Sequence, residues 1–416
     1  MCLNRPSLAN PVLRPLALAS VVTFALSLAG CGTQTVPGKL PGQQPPVATL
    51  TAPTLQPAVP AVPQKPANFV DVKGKIDVAL LLPLSGPTAA LGRDMLDAAQ
   101  LSLIELGGDD MVLTPKDTHG TAEGAAAAAR LAVAEGARII VGPLTASEAD
   151  AVKPIAQAAH INVLSFSSVA SIAGNGLFLM GILPREELTR IASYARSTGI
   201  DHFAAIVPNN TYGQLAADEF GRAVASAGGT MDDTEVFEPG GADLKPVIKH
   251  LAANGKFTFT ALLVPETGSK LKNVVSQLQL ADINQQKVRL LGTGIWDVPD
   301  LGNEPSLIGG WYAAPPPEAR AGFQDRFRAA YGHAPARLAT LAYDAVGVAA
   351  VLGRTPGADF SAAALTNPSG FAGADGIFRL REDGTAERGL AVLQVERTGA
   401  SVVSPAPESF GGEAGQ

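Results

Sequence analysis

The sequence predicts an α/β protein built as two lobes, each a parallel sheet with helices on both faces. Three observations carry this. Ile76–Pro83 is a near-continuous apolar run of strand length, the pattern of a strand buried on both sides. A polar turn, Leu84-Ser85-Gly86-Pro87, follows it, and apolar residues then return at helical spacing in Met95, Ala99, Leu103 and Leu106. The same alternation continues to Ile182, and a second cycle begins at Pro184. Ligands of open α/β sheets bind in turns beyond the carboxyl ends of strands, so Ser85 is a first candidate contact.

Taken in order, the chain opens on an address. Arg5 and Arg14 form a positive region, and Pro15–Leu28 is an apolar stretch too short for a comfortable membrane span. It ends in Leu28-Ala29-Gly30-Cys31, which resembles a bacterial lipobox. The resemblance implies cleavage after residue 30 and lipid on Cys31. Cleavage removes Cys2, Arg5 and Arg14, so the formal charge of −7 becomes two units more negative. No intramolecular disulfide is then possible, because Cys2 and Cys31 are the two cysteines of the chain. Gly32, where an Asp is absent, implies the outer membrane.

Residues 31–72 read as the anchor and a tether. Proline recurs at 37, 41, 45, 46, 53, 57, 60, 63 and 66, which excludes a helix or a ladder and favours an extended chain. At roughly 3 Å per residue it reaches on the order of 100 Å. Then come strand Met111–Pro115 with Asp117-Thr118 in a loop, helix Thr121–Glu135 stopping at Gly136, strand Arg138–Val141, helix Ser147–Ala159, strand Asn162–Phe166 and the apolar run Phe178–Ile182. The second cycle reads helix Leu188–Ser197, strand His202–Val207, a turn at Asn209–Gly213 leading into a helix, strand Thr230–Phe237, helix Leu244–Ala253, strand Phe257–Val264, helix Lys270–Leu280 and strands Arg289–Leu291 and Gly309–Ala313. Helices Glu318–Tyr331 and Leu338–Leu352 follow. Gly376–Leu380 and Leu390–Glu396 read as a terminal hairpin with Glu382-Asp383-Gly384 in its turn.

Composition narrows the function. The 46% hydrophobic content suits a large core, and the negative charge argues against nucleic acid, which calls for a basic stripe. Enzyme signatures are missing. Gly292-Thr-Gly-Ile-Trp-Asp297 begins like a dinucleotide loop but has Asp297 where the third glycine belongs. No G-x-S-x-G elbow or Walker loop occurs, and histidines 119, 160, 202, 250 and 333 show no metal-ligand spacing. No catalysis, cofactor or metal is expected.

Several stretches carry a family likeness: LLPLSGPTAALGRDM from Leu81, DT at Asp117, IIVGPLTASEA at Ile139–Ala149, VLSFSS at Val163–Ser168, NNTYG at Asn209–Gly213 and AYDAV at Ala342–Val346. In order and spacing they resemble type 1 periplasmic binding proteins of the leucine-binding kind, substrate-binding components of ABC transporters. The resemblance spans roughly residues 73–397. It implies three crossings between lobes, with lobe one as 73–183 and 312–365, lobe two as 184–311 and 366–397, and a disordered tail at 398–416. It also implies a cleft for an amino acid. Ser147, Ser167 and Ser168 match residues that grip the ligand's carboxylate and amino group, with Ser165 beside them. Tyr212 matches a tyrosine that closes over the ligand, and Glu266 an acid that pairs its ammonium. Trp296 walls the cleft or fills the core. Other readings stand beside these. Thr145-Ala-Ser-Glu148 has capping-box spacing, as do Thr211 and Gln214, and Glu266 also reads as a solvated loop charge. The short serine-rich segment running into LFLMGILPREE is similar to a lipoprotein sub-branch, the activators of penicillin-binding proteins. Two functions follow: an amino-acid transport receptor, or an outer-membrane lipoprotein that stimulates peptidoglycan synthesis by contact with such an enzyme.

Overall fold

The computed structural model describes residues 74–238, 244–252 and 257–410. The signal segment, Cys31, the proline-rich tether and the last six residues lie outside the described residues. Among those described, no helix is long and apolar enough to cross a membrane.

The first sheet contains β1 (Ile76–Leu82), β2 (Met111–Asp117), β3 (Ile139–Val141), β4 (Val163–Ser165) and β5 (Leu177–Leu179), all parallel, in the order β2-β1-β3-β4-β5. Helices α1 (Ala89–Ser102), α2 (Ala122–Glu135) and α3 (Ala146–Ala158) connect them. Local chemistry sets their ends. Thr121 caps α2 through Gly124 N at 3.0 Å, and Gly136, with φ of 91°, ends it in the left-handed region.

After α4 (Pro184–Ser197) the second sheet repeats this order. It contains β6 (His202–Pro208), α5 (Thr211–Ser226), β7 (Thr230–Phe237), α6 (Lys245–Leu251), β8 (Ala261–Leu263), α7 (Gly268–Leu280), β9 (Arg289–Gly292) and β10 (Trp311–Ala314). Its parallel strands run β7-β6-β8-β9-β10, the same winding as the first lobe. The expectation of two parallel sheets, each wrapped by helices, matches the structure.

The remaining chain divides between the lobes differently from the expectation. Three consecutive prolines, Pro315–Pro317, lead from β10 into α8 (Pro317–Tyr331), and α9 (Ala339–Gly353) and α10 (Ala362–Leu365) follow. Phe323 and Phe327 of α8 pack with Ala98, Leu101 and Tyr343 on the first lobe. Then β11 (Phe371–Gly373), β12 (Gly376–Leu380) and β13 (Ala386–Arg388) form a small antiparallel sheet whose Phe378, Leu380 and Ala386 join the first-lobe core. Only after Arg388 does the chain return, as β14 (Ala391–Val395) and β15 (Ala400–Ser404), both antiparallel additions to the second sheet beside β10. Three structural facts therefore correct the sequence reading. Residues 312–314 belong to the second lobe, residues 371–388 to the first, and residues 400–404 form an edge strand where a disordered tail was expected. The expected hairpin keeps its first strand and its turn at Glu382-Asp383-Gly384 but has another partner: β12 pairs with β13, and β14 pairs with β10.

The core of the first lobe centres on α9. Thirteen of its fifteen residues are buried, which its Ala- and Gly-rich composition permits. Gly347 lets α1 and the following turn approach closely, since a Cβ there would lie 3.3 Å from Leu106 and 3.6 Å from Ser102. Both faces of the second sheet are covered, one by Ile206, Leu262, Leu290 and Trp296, the other by Phe203, Val207, Leu263 and Leu291. Each such fully buried side chain contributes about 1.5–3 kcal/mol.

Candidate functional site

In the shared strand order the winding reverses between β1 and β3 in one lobe and between β6 and β8 in the other. Those switch points open crevices at the carboxyl ends of the strands. The turns there hold the candidates. After β1 stands Ser85, whose Oγ lies 2.6 Å from His119 Nδ1 and whose N donates to Asp117 at 3.3 Å. After β3 comes Ser147, exposed in the first turn of α3, 3.3 Å from the Thr145 hydroxyl. Gly142 makes this turn possible. Its φ is 93°, and a Cβ would sit 2.2 Å from Leu81 O. The capping box is real: Thr145 accepts from Glu148 N, and the buried Glu148 carboxylate accepts from Thr145 N and from Thr118. Capping thus engages Thr145 and Glu148 and leaves Ser147 at the surface.

The serines after β4 separate by role. Ser165 is buried and donates to Pro143 O at 3.1 Å, so it holds the end of β4 to the turn after β3. Ser167 is also buried and accepts from Val169 N at 3.2 Å. Ser168 is exposed. Of this group, Ser147 and Ser168 present free surface.

In the second lobe, Tyr212 stands in the first turn of α5. Asn210, not Thr211, caps that helix, accepting from Gly213 N at 2.8 Å. Gly213 is required because a Cβ would lie 2.0 Å from Pro208 O. The Tyr212 hydroxyl is 2.7 Å from Thr293 Oγ1, and burial first, with the nearby charges of Glu187 and Glu266, raises its pKa. Glu266 is buried, against the reading as a solvated charge. Trp296 is fully buried, its ring 6.5 Å from Tyr312, so the core alternative holds. Its Nε1 donates to Glu266 O at 3.1 Å and so positions that loop.

Sequence reasoning missed Glu187, Thr293 and Asp297. Glu187, in the first turn of α4, accepts from Gly294 N at 2.9 Å. Burial raises its pKa to about 8, opposed by that hydrogen bond and by Arg337. Its signal was present but ordinary, because Glu186 and Glu187 look like the acids of any helix start. Asp297 Oδ2 accepts from Arg320 at 2.7 Å and Arg337 at 3.2 Å, and both arginines belong to the first lobe. The second-lobe face thus carries two buried acids around one tyrosine, and a positively charged group placed there would draw the proton from Glu187.

Glu187 gives a pH prediction. Its folded pKa is raised above that of the unfolded chain, so its contribution to stability is full below the unfolded pKa of 4.5 and is lost as pH rises through about 8. Glu187→Gln keeps the acceptor for Gly294 and removes the titration. Urea unfolding across this window is expected to show a shallower fall of stability with rising pH in the variant, and equal slopes would refute the assignment.

Comparison with known proteins agrees with this architecture. The family described as periplasmic binding protein matches residues 75–400. The Leu/Ile/Val-binding protein BraC3 of Rhizobium johnstonii is 28% identical over 180 residues, 40% of this chain and 49% of that protein. This chain spans about half the length of the curated relatives it matches. Among solved structures, a putative branched-chain amino acid ABC transporter protein from Rhodospirillum rubrum superposes with a TM-score of 0.70 at 21% identity, covering 79% of this chain and all of that one. A solute-binding protein from R. palustris, in complex with 4-hydroxybenzoate, gives 0.60 at 18% identity, covering 80% of this chain and 98% of that one. With the family matched from β1 through β14, the chain belongs to the periplasmic binding proteins.

Proposed function

We propose that this protein is a non-enzymatic, lipid-anchored periplasmic receptor whose cleft binds a small amino acid. The observation that carries the reading is the division of chemistry between the switch-point turns. The first lobe offers hydroxyls and a helix N-terminus, which suit a carboxylate. The second offers Glu266 and Tyr212, with Glu187 of α4 beside them able to give up its proton to a neighbouring cation, which suits an ammonium. A zwitterion answers both. A ligand that touches both lobes favours the closed state by its differential affinity. In a thermal-shift panel of amino acids, aromatic carboxylates and short peptides, a neutral amino acid is expected to raise the melting temperature. Ser147→Ala combined with Tyr212→Ala is expected to abolish the shift, and Glu266→Gln to weaken it about tenfold or more. A shift from aromatic carboxylates alone would remove the ammonium argument.

Anchoring rests on Leu28–Cys31 and is tested by palmitate labelling, which Cys31→Ser is expected to abolish. The proline-rich segment 32–72 favours a second reading. A stiff tether from the outer membrane suits an activator that reaches a penicillin-binding protein in the inner membrane better than a receptor that must meet a permease. No thermal shift from any small molecule, together with cross-linking to such an enzyme, would favour the activator.

A further inference from the structure

Away from the cleft, on the outer edge of the second lobe, Asp233, Glu235 and His250 converge. One donor atom from each lies within 4.8 Å of the others. The fold builds this set. Asp233 and Glu235 are two apart on β7, so they share a face, and their registers opposite Ala204 and Ile206 are fixed by pairing with β6. The shift in register between Phe203 and Ala204 places Asp232 out of sequence, and Asp232 turns to His202 on β6 at 2.8 Å. Asp233 and Glu235 are left with His250, which α6 carries back over β7. His250 Nδ1 is hydrogen-bonded to Glu235 Oε1. The carboxylates are half-buried and the imidazole is exposed, so the site is open to solvent on one side.

We propose that Asp233, Glu235 and His250 bind one divalent transition-metal ion, of which Zn2+ is the natural probe. One imidazole nitrogen and two carboxylate oxygens form a donor set of the kind Zn2+ accepts, with water completing the shell. Donors about 2.0–2.2 Å from one metal stand roughly 3.5 Å apart, so the hydrogen-bonded His250 and Glu235 part slightly to admit the ion, which rotation of the exposed His250 supplies. The metal takes the ring nitrogen that faces Glu235 and displaces that hydrogen bond. Two like charges on one strand face repel, and the ion relieves this. The ion ties α6 to β7, an edge strand whose unpaired backbone otherwise invites another chain. Sequence spacing hides the set, because its members come from a strand and a helix that meet only after folding.

The test is calorimetric titration of Zn2+ into the full chain after chelator treatment and dialysis. Saturable binding of one ion per chain is expected, together with a rise in melting temperature that chelator reverses. His250→Ala and Glu235→Gln should each weaken binding at least tenfold, while His202→Ala leaves it unchanged. The His250→Ala variant should keep the metal-free melting temperature of the parent, since His250 is exposed. No saturable binding, unaltered binding in both ligand variants, or loss on His202→Ala would each overturn the proposal.

Discussion

Replacing Arg388 with methionine is expected to lower the free energy of unfolding by about 3–5 kcal/mol, as when one partner of a buried ion pair is removed. Arg388, on β13, is buried with Asp344 of α9, its Nη1 3.5 Å from Asp344 Oδ2. It donates to Met180 O at 2.6 Å beyond the end of β5, and its guanidinium lies 4.9 Å from the centre of the Phe378 ring. One side chain thus joins the small sheet, the central helix and the first parallel sheet. Without it, Asp344 retains Ala374 N at 2.6 Å and no adjacent cation. Burial already pushes the Asp344 pKa to about 7, and Arg388 is the main influence opposing that rise. Loss of Arg388 raises it further. The folded variant therefore holds its proton over a wider window, and its stability falls more steeply as pH rises. Urea unfolding at about pH 5 and about pH 8 should show the larger deficit at the higher pH. Adding Asp344→Asn should recover part of the loss, because a neutral amide needs no counter-ion. A single-variant deficit below about 1 kcal/mol at both pH values would refute the account.

Asp297→Ala is expected to shift the lobes toward an open arrangement by about 2 kcal/mol, roughly a thirtyfold change in population. Asp297 follows the turn after β9 in the second lobe, and its carboxylate joins Arg320 and Arg337 of the first. Those arginines have a second partner in their own lobe. The fully buried carboxylate of Asp375 meets Arg320 at 3.2 Å and Arg337 at 3.1 Å, and accepts from Thr340 at 2.6 Å. Burial raises the pKa of Asp375, but the arginines outweigh it and the net direction is down. Of the bonds these two arginines make, parting the lobes therefore breaks those to Asp297 and leaves neither arginine without a counter-ion. That asymmetry makes the contact a latch between two states. Its partial exposure places it at the lower end for charged hydrogen bonds and makes it sensitive to salt. Small-angle scattering should report a larger radius of gyration for the variant. A ligand that needs the closed state should bind more weakly by the same factor. Unchanged scattering with unchanged ligand affinity would dismiss the latch.

How far the sequence carried can be followed residue by residue. Ile76–Leu82 was legible as a strand, and Thr121 and Gly136 as the ends of a helix, because burial on both faces and capping act over a few residues. Turns at strand ends followed from the alternation and pointed to Ser85, while the family likeness pointed to Ser147, Tyr212 and Glu266; all four lie just after the strands that flank the switch points. Whether those side chains face solvent, cap a helix or carry a buried charge was not legible. Ser165 and Trp296 turned inward, and Glu187 looked like any acid at a helix start until Gly294, over a hundred residues away, was seen to donate to it.

The sequence by itself determined two cycles of strand and helix, since periodicity is local and each βα unit writes it out. Only the tertiary structure decided where the last strands go. Gly376–Leu380 and Ala391–Val395 both read as half-buried strands, and either could have paired with the other. They lie in different lobes because Phe378 and Leu380 fill the space beside α9, while β14 covers the free edge of β10. The same holds for Asp297 with Arg320 and Arg337, and for His250 with Asp233 and Glu235. Their pairing depends on three-dimensional proximity between segments distant in the chain, which no window along the sequence contains.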